Sequence, residues 1–548
     1  MALNPSSQSN TAVEVIDDTV SEFYNVVDSC IRRSEVMPGQ YKSITSPSYS
    51  NNCPIDESSF TTIDVGCPSP QVVDINNSFI TAKVQVPINI PSGFTTKGKA
   101  CTLFVGWRSS LDILQRYIIY CNHKVVYDQV YVGEESFILQ SLIPEHVRCR
   151  RPYQYTTYEN ASTFSPNLCG TYITLTADDA GTHDAGGAQR IVEIPIKLDI
   201  NQFLLFQNFK YLPGFCGTWS IKLYPSTQNM IICPVDPKVM MTTQELSDFA
   251  AIDMTGYTHN FVQIGDKLNC LTTFKTASST HTATFSSKTF TVGRAKVDEV
   301  QYHQTQFELM FDIYDGLKAR YMARPLTLPV NKLDYGRFAG AISKNSSTYT
   351  TAASNIESMF ILPFPDDNHH TVCFNPNFQN FYLSISGFGN FPQQPFNTFG
   401  NDEKHARFLN MTLDALNINN SQIMAPNKDL MNSLEANKVE FYTVNNSTGT
   451  VSYTHDSITP NLDISNFLIG IPFSNDIDFQ GGLTSNGNIN FKLASTSSTI
   501  NTIASTYTSS STSDIGATVM FCCDCALMIK VVPYSDQPEC RLVTERIV

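Results

Sequence analysis

Four short stretches carry residue types that could do chemistry. Gly93 to Ala100, "GFTTKGKA", fits G-x-x-x-x-G-K, the spacing of a loop whose backbone amides cradle phosphate. That chemistry also needs Ser or Thr after the lysine to hold magnesium, and a helix N-terminus behind it. Here Ala100 follows, then the strand-like "CTLFVGW", so the stretch reads as a strand-to-strand turn. Cys522 to Cys525, "CCDC", contains C-x-x-C, but structural zinc needs a second ligand pair. The one tempting partner is "HHTVC", His369 to Cys373, and nothing in the sequence brings the two together. In a buried strand such cysteines pack as small apolar groups. Asp366 and Asp367 are adjacent carboxylates, whereas a glycosidase sets its two carboxyls across a cleft. They fall in a Pro/Asn/His turn and read as solvated. Arg148, Arg150 and Arg151 form a short basic group in a turn. G-x-S-x-G and H-E-x-x-H are both missing. No catalytic, cofactor-binding or metal-binding residue is therefore assigned, no cofactor is expected, and the chain reads as a non-enzyme.

The elements around these stretches are mostly strands. In "ITAKVQVPINI" the apolar residues Ile80, Ala82, Val84, Val86, Ile88 and Ile90 alternate with Thr81, Lys83, Gln85 and Asn89. Period two over eleven residues is a strand with one face buried. Pro87 lies on the other face and suggests an edge or a bulge. "RYIIYCN", "KVVYDQVYV", "RIVEIPIKL", "TWSIKLY" and "MIICPV" continue the pattern. "SMFILPF", "FYLSISGF", "KVEFYTV", "FLIGIPF", "NINFKL" and "ATVMFCCDCALMIKVV" repeat it in the second half. Helical periodicity is confined to three places. Val13, Ile16, Val20, Phe23, Val27 and Ile31 step by three or four and end at Arg32-Arg33, where cations suit the helix dipole. Leu409, Leu413 and Leu416 share a face in "EKHARFLNMTLDALNI", as do Leu430 and Leu434 in "DLMNSLEAN". Fourteen of the nineteen residues from Ser495 to Ser513 are Ser or Thr, too polar to fill a core, so this segment is placed on the surface.

At 548 residues the chain exceeds one core, and two β units of about 250 residues with arms would fill it. Hydrophobic residues make up 42% and charged ones only 16%, with Asn, Ser and Thr in their place, which favours strands and turns. A net charge of -14 argues against coating nucleic acid, which takes clustered cations. "MALNPSSQSN" lacks the basic and apolar regions of a secretory signal, and no segment has the ~20 apolar residues of a membrane span. The 15 cysteines are then expected as reduced thiols, and triplets such as Asn160-Ala161-Ser162 as unglycosylated.

One pattern recurs. "GTWSIKL", Gly217 to Leu223, and "GNINFKL", Gly487 to Leu493, share Gly, Lys and Leu at the same places with apolar residues in phase. Ile194-Pro195-Ile196 precedes the first and Ile471-Pro472-Phe473 the second, in the same order but with a connector seven residues longer in the first half. Equivalent strands in two similarly built units would produce this, so the chain reads as a tandem of two β-barrels.

Further stretches carry a resemblance. "FVGWRSSLDILQRYIIYCNHKVVYDQ" and "IPIKLDINQFLLFQNFKYLPGFCGTWSIKLYPS" resemble the first barrel of double jelly-roll major capsid proteins, and "RFLNMTLDALNINNSQ" and "GGLTSNGNINFKLAS" the second. The flavour is that of Maverick/Polinton elements, adintoviruses and virophages, with adenovirus hexon as a distant architectural relative. The resemblance spans roughly residues 70–535, and its motifs are structural. It implies an all-β fold of two tandem eight-stranded jelly rolls, with a few short helices in loops. Loops such as 149–190 and 392–440 would form outward towers or clasp neighbours. The expected division is an N-terminal helical arm over 1–68, outside the main body or packed on its own domain, a first jelly roll over 69–315, a second over 316–536 and a tail over 537–548.

The implied function is a major capsid protein: a homotrimer forming a pseudo-hexagonal capsomer that tiles an icosahedral shell. Implied partners are neighbouring capsomers, penton and minor capsid proteins, with an internal membrane left open and no sequence-specific nucleic acid. The implied location is the virion capsid, after synthesis in the host cytoplasm and assembly inside the host cell. The alternative is an all-β carbohydrate-binding protein or glycosidase. A sugar site usually shows exposed Trp platforms, and only two Trp are present, with Trp219 in phase with a core face.

Overall fold

The computed structural model describes residues 23–32, 42–45, 53–54, 60–89, 101–107, 109–142, 169–175, 189–207, 209–226, 229–234, 252–259, 262–263, 271–276, 280–284, 291–292, 296–338, 347–351, 355–364, 378–385, 389–398, 402–416, 439–445, 450–456, 467–473, 489–494, 516–532 and 538–543. Sixteen of its strands form two sets of eight with the same plan.

The first half contains helix α1 (residues 23–32) and β1 (Lys42–Thr45), β2 (Thr61–Asp64), β3 (Gln71–Asn89), β4 (Leu114–Cys121) and β5 (Lys124–Val130). Helix α2 (Val132–Leu142), β6 (Gln189–Asp199), β7 (Tyr211–Pro213), β8 (Trp219–Pro225) and β9 (Lys296–Glu308) follow. One sheet runs β1-β9-β3-β7, with β6 also on β3; the other runs β2-β8-β4-β5. Helix α3 (Phe311–Ala323) leads into the second half: β10 (Leu326–Phe338), β11 (Ser347–Thr351), β12 (Ile356–Phe364), β13 (Phe381–Ile385) and β14 (Gly389–Phe396). Then come helix α4 (Glu403–Ala415), β15 (Ile469–Pro472), β16 (Ile489–Ala494), β17 (Gly516–Lys530) and β18 (Glu539–Val543). Its sheets run β10-β17-β12-β15 and β11-β16-β13-β14, with β18 added to β17. Counting each set of eight from its own first strand, with β6 and β18 as additions, both halves read 1-8-3-6 and 2-7-4-5. That is the order of a jelly roll, so the chain is an all-β double jelly roll.

The alternation explains why these segments are strands. Ile80, Ala82, Val84, Val86 and Ile88 are buried along β3, and Trp219, Ile221 and Leu223 along β8. The residues between them are only partly covered. Pro87 is not at an edge: β3 has partners on both flanks. Pro87 pairs with Ile191 of β6, while the described ladders on the other flank stop at Gln85 and resume at Ile88. A residue without an N–H is tolerated where one ladder is not closed.

The recurring strings occupy the same position. β8 and β16 are the seventh strands of their sets, each between the second and fourth. Ile221 pairs with Ile63 and Ile119, and Phe491 with Tyr349 and Ile385. Gly217 has φ +88, and a Cβ there would lie 2.7 Å from Asn122 Oδ1 and 2.8 Å from Pro538 Cδ, so only glycine fits.

The idea of an arm outside the main body is corrected for part of its length. Phe23, Val27 and Cys30 of α1 are buried in the core, and Cys30 takes the place on the buried face that the periodicity gave to Ile31, which is exposed. β1 pairs with β9 and β2 with β8, so residues 42–45 and 61–64 are strands of the first jelly roll. β18 likewise ties 539–543 to β17. In α4 the expected apolar face is present, with Phe408, Thr412 and Leu413 buried and Leu409 partly so. The segments 429–437 and 495–513, and the towers expected at 149–190 and 392–440 apart from 169–175, 189–190, 392–398, 402–416 and 439–440, lie outside the described residues.

Candidate assembly surface and the seam between the jelly rolls

The seam is built around the turn between β4 and β5. Asn122 and His123 have φ 49 and 64, the left-handed pair that a two-residue hairpin loop requires and that Asn tolerates well. Asn122 Oδ1 accepts from Thr218 N and Oγ1 at 3.0 and 3.1 Å, and its Nδ2 donates to the Pro538 carbonyl at 2.8 Å. One side chain thus joins β4, β8 and the start of β18.

Further along the seam, α2 packs against the turn Ser110–Ile113 and against β4. Glu134 Oε1 accepts from Thr518 Oγ1 of β17 at 3.4 Å. Glu135 Oε1 accepts from Tyr117 Oη at 2.8 Å, and Tyr117 Oη accepts from the Leu204 amide at 3.3 Å. Burial pushes the Glu135 carboxyl up to about 8, against a smaller opposite pull from the Tyr117 hydroxyl, which favours its neutral form. Tyr127 stacks on Tyr117 at 6.0 Å and donates to Gln129 Oε1 at 3.1 Å. The Tyr131 and Tyr335 rings meet edge to face across the seam at 4.7 Å.

Helix α1 and α3 close one flank through aromatic packing. Phe23 meets Tyr321 at 5.8 Å, and Phe215 meets Tyr314 at 5.4 Å. Asp28 accepts from Lys210 Nζ at 2.6 Å and from Tyr211 Oη at 2.8 Å. Burial works to raise the Asp28 carboxyl, but these two donors outweigh it and hold it below the usual carboxylate range.

Outward, the β2-β8-β4-β5 sheet presents a mixed aromatic and charged surface. Lys222 Nζ sits 3.6 Å from the centroid of the exposed Phe60 ring and 5.5 Å from that of Tyr224. Arg116 pairs with Asp128, Nε to Oδ1 at 2.8 Å. Val125 on the same sheet is exposed, as are Met310 and Phe311 at the start of α3, the latter at 68%. Sequence reasoning did not single out Phe60, Asn122, Glu135 or Phe311. The Asn-His dipeptide in "CNHK" was the available signal for the turn.

Of the stretches with possible chemistry, only Cys522 to Cys525 is described. It lies on β17, with Cys523 and Cys525 buried and Cys522 partly so, packed in or against the core. Among the described residues no group of three His, Cys, Asp or Glu is placed to hold a metal ion. Gly93 to Ala100, Arg148 to Arg151, Asp366-Asp367 and His369 to Cys373 lie outside the described residues. Among the described residues no helix is long and apolar enough to cross a membrane.

No family model and no curated protein matches the chain. Among solved structures it is similar to a chain in the cryo-EM structure of the Sputnik virophage, at 12% identity and a TM-score of 0.49 over 94% of this chain and 90% of that one. It is also similar to the mavirus major capsid protein, at 10% identity and a TM-score of 0.46 over 93% and 91% of the two chains. The Faustovirus major capsid protein is similar at 9% identity and a TM-score of 0.36 over 95% and 98%.

Proposed function

We propose that this chain is a major capsid protein, acting as a structural building block without catalytic activity. The observation that carries the reading is the repeated strand order, 1-8-3-6 over 2-7-4-5 twice in one chain. Two copies of one sandwich give a subunit two similar outer walls, and three such subunits give six walls around a three-fold axis. The capsomer is accordingly a homotrimer, pseudo-hexagonal in outline, packed against neighbouring capsomers in an icosahedral shell. Penton and minor capsid proteins are its further partners, and an internal membrane stays open. The virion capsid is its location, after synthesis in the host cytoplasm. The units we propose meet near residue 315, where α3 bridges β9 and β10.

The carbohydrate reading is weakened further, because Trp107 and Trp219, the only two Trp, are both buried and neither is a sugar platform. Light scattering and negative-stain microscopy of the purified chain test the proposal. A particle of about three times 61.0 kDa with a hexagonal outline is expected. A stable monomer under assembly conditions overturns it.

A further inference from the structure

Helix α2 lies where the two jelly rolls meet, and the chain enters it through a strained residue. Tyr131 has φ 58, a left-handed conformation that a bulky side chain rarely adopts. Its carbonyl accepts from the Glu135 amide at 3.2 Å, which sets the first turn of α2. A Cβ at Gly133 would lie 2.6 Å from Asn229 Nδ2, and Asn229 donates to the Asp112 carbonyl at 3.2 Å, so this turn is closely seated. Glu134, Glu135 and Ser136 are all buried. Ser136 Oγ meets Ser109 Oγ at 2.7 Å, Glu134 reaches Thr518 of the second jelly roll, and Glu135 Oε1 takes the Tyr117 hydroxyl. Tyr117 accepts in turn from Leu204, and the turn Leu204–Phe206 packs against β10. The other Glu135 oxygen, Oε2, is buried with no hydrogen-bond partner among the described residues. The elements packed about it turn neutral or acidic groups toward this place: Tyr117 on β4, Tyr127 on β5, Glu134 on α2 itself, Asp112 on the turn Ser110–Ile113 and Thr518 on β17, with Cys522, Cys523 and Cys525 further along that strand. Arg116 of β4 and Lys332 of β10 are paired with Asp128 and Asp334, and Lys124 of β5 and Lys530 of β17 are exposed.

We propose that α2 is a proton-dependent latch between the two jelly rolls: it stays docked while Glu135 is protonated, and loss of that proton releases it. The physical reason is the unpartnered oxygen. A buried carboxylate needs donors or water on both oxygens, and this site supplies one hydroxyl. Release lets water reach the charge and lets Tyr131 leave its left-handed conformation. It also breaks the Glu134–Thr518 and Tyr131–Tyr335 contacts between the halves. The Asn122–Pro538 hydrogen bond does not involve α2 and stays in place. Burial pushes the docked carboxyl up to about 8 from the ordinary 4.5, so the docked state holds the proton more tightly than the released one. The latch is therefore tight in acid, loosens as pH rises from about 4.5 to about 8, and loosens no further above that. These contacts lie within one chain, so the latch stands or falls apart from the capsid reading.

Hydrogen exchange of the folded full-length chain tests it, read by mass spectrometry from about pH 5 to about pH 9 with the intrinsic pH dependence of amide exchange divided out. An undocked helix of 11 residues is marginal in water, so release exposes its amides. Peptides over 132–142 are expected to lose protection by roughly tenfold per pH unit between about pH 5 and about pH 8, and to level off above that. Peptides over 381–396 and 516–530 should keep theirs, since their ladders do not involve α2. In Glu135→Gln the protection of 132–142 should stay flat with pH. The proposal is overturned if wild-type α2 shows no pH dependence, if Glu135→Gln shows the same slope, or if all peptides lose protection together, which is global unfolding. If Glu135→Gln does not fold, Tyr117→Phe decides the question. Without the hydroxyl that favours the carboxylate, the levelling-off should move to higher pH, and an unchanged or lower point overturns the latch.

Discussion

Helices α2 and α4 hold the same place in the two jelly rolls, each following the fifth strand, yet they face different things. α4 lies on its own half. Gly470 of β15 donates its amide to Thr412 Oγ1 at 3.2 Å, and a Cβ at Gly470 would come within 2.8 Å of the Ala415 Cβ. Phe408 adds ring contacts to Phe396 and Phe467 at 5.6 and 5.9 Å. α4 therefore covers the edge strand of its sheet, one of the ways an exposed strand edge is blunted. α2 instead turns two carboxyls inward, Glu135 toward Tyr117 and Glu134 toward Thr518 of the other half. In the first half the corresponding flank of β3 is filled by two strands, β6 and β7, so α2 is free to serve the seam. A duplicated fold thus keeps its strand order while the same helix does edge protection in one copy and joining in the other.

The largest expected effect tests the equivalence of the two halves. Ile221 is fully buried between Ile63 and Ile119, so Ile221→Asp places an unpaired charge in the core, at a cost on the order of 5 kcal/mol or more. Phe491→Asp at the matching register should do the same. Soluble yield and thermal melting measure both. Tolerance of either one breaks the comparison at the level of side chains.

Next is the difference between the helices. The unfolded Glu135 carboxyl ionises near 4.5 and the folded one near 8, so the folded state holds an extra proton between those values. Stability contributed by this group is intact below about pH 4.5, falls by about 1.4 kcal/mol per pH unit as pH rises, and levels off above about 8. The full loss is about 5 kcal/mol at most. Glu135→Gln keeps an acceptor for Tyr117 and removes the ionisation, so it should melt higher than the wild type above pH 7 and match it near pH 4. A constant difference across pH would mean that Glu135 is not the buried acid of the seam.

The smallest effect is at the surface. Lys222→Gln removes a cation from the Phe60 face and should shift a urea unfolding curve by about 0.5–1 kcal/mol. A cost as large as that of Ile221→Asp would mean that Lys222, and not its neighbour, faces the core.

Much of the strand framework was legible. "ITAKVQVPINI", "TWSIKLY" and "ATVMFCCDCALMIKVV" are strands where their alternation puts them, and the recurrence of "GTWSIKL" marks the same strand position in both halves. Less legible were β10, "LTLPVNKLDYGRF", and β9, "KVDEVQYHQTQFE", whose polar and Pro-containing runs do not stand out. They are strands because long partners, β17 and β3, lie beside them and close their hydrogen bonds. The same holds for β1 and β2, which local pattern assigned to an arm.

By itself, then, the sequence determined what is local: period-two burial, the all-β class, the doubling of the chain and the lack of a complete catalytic motif. The tertiary structure alone decided that α1 packs inside the first half, that burial raises the Glu135 carboxyl, and that Asn122 reaches the Pro538 carbonyl. Each of these depends on residues brought together from distant parts of the chain. Side-chain alternation is written in neighbours two apart, whereas burial and protonation are set by whichever distant segment excludes the water.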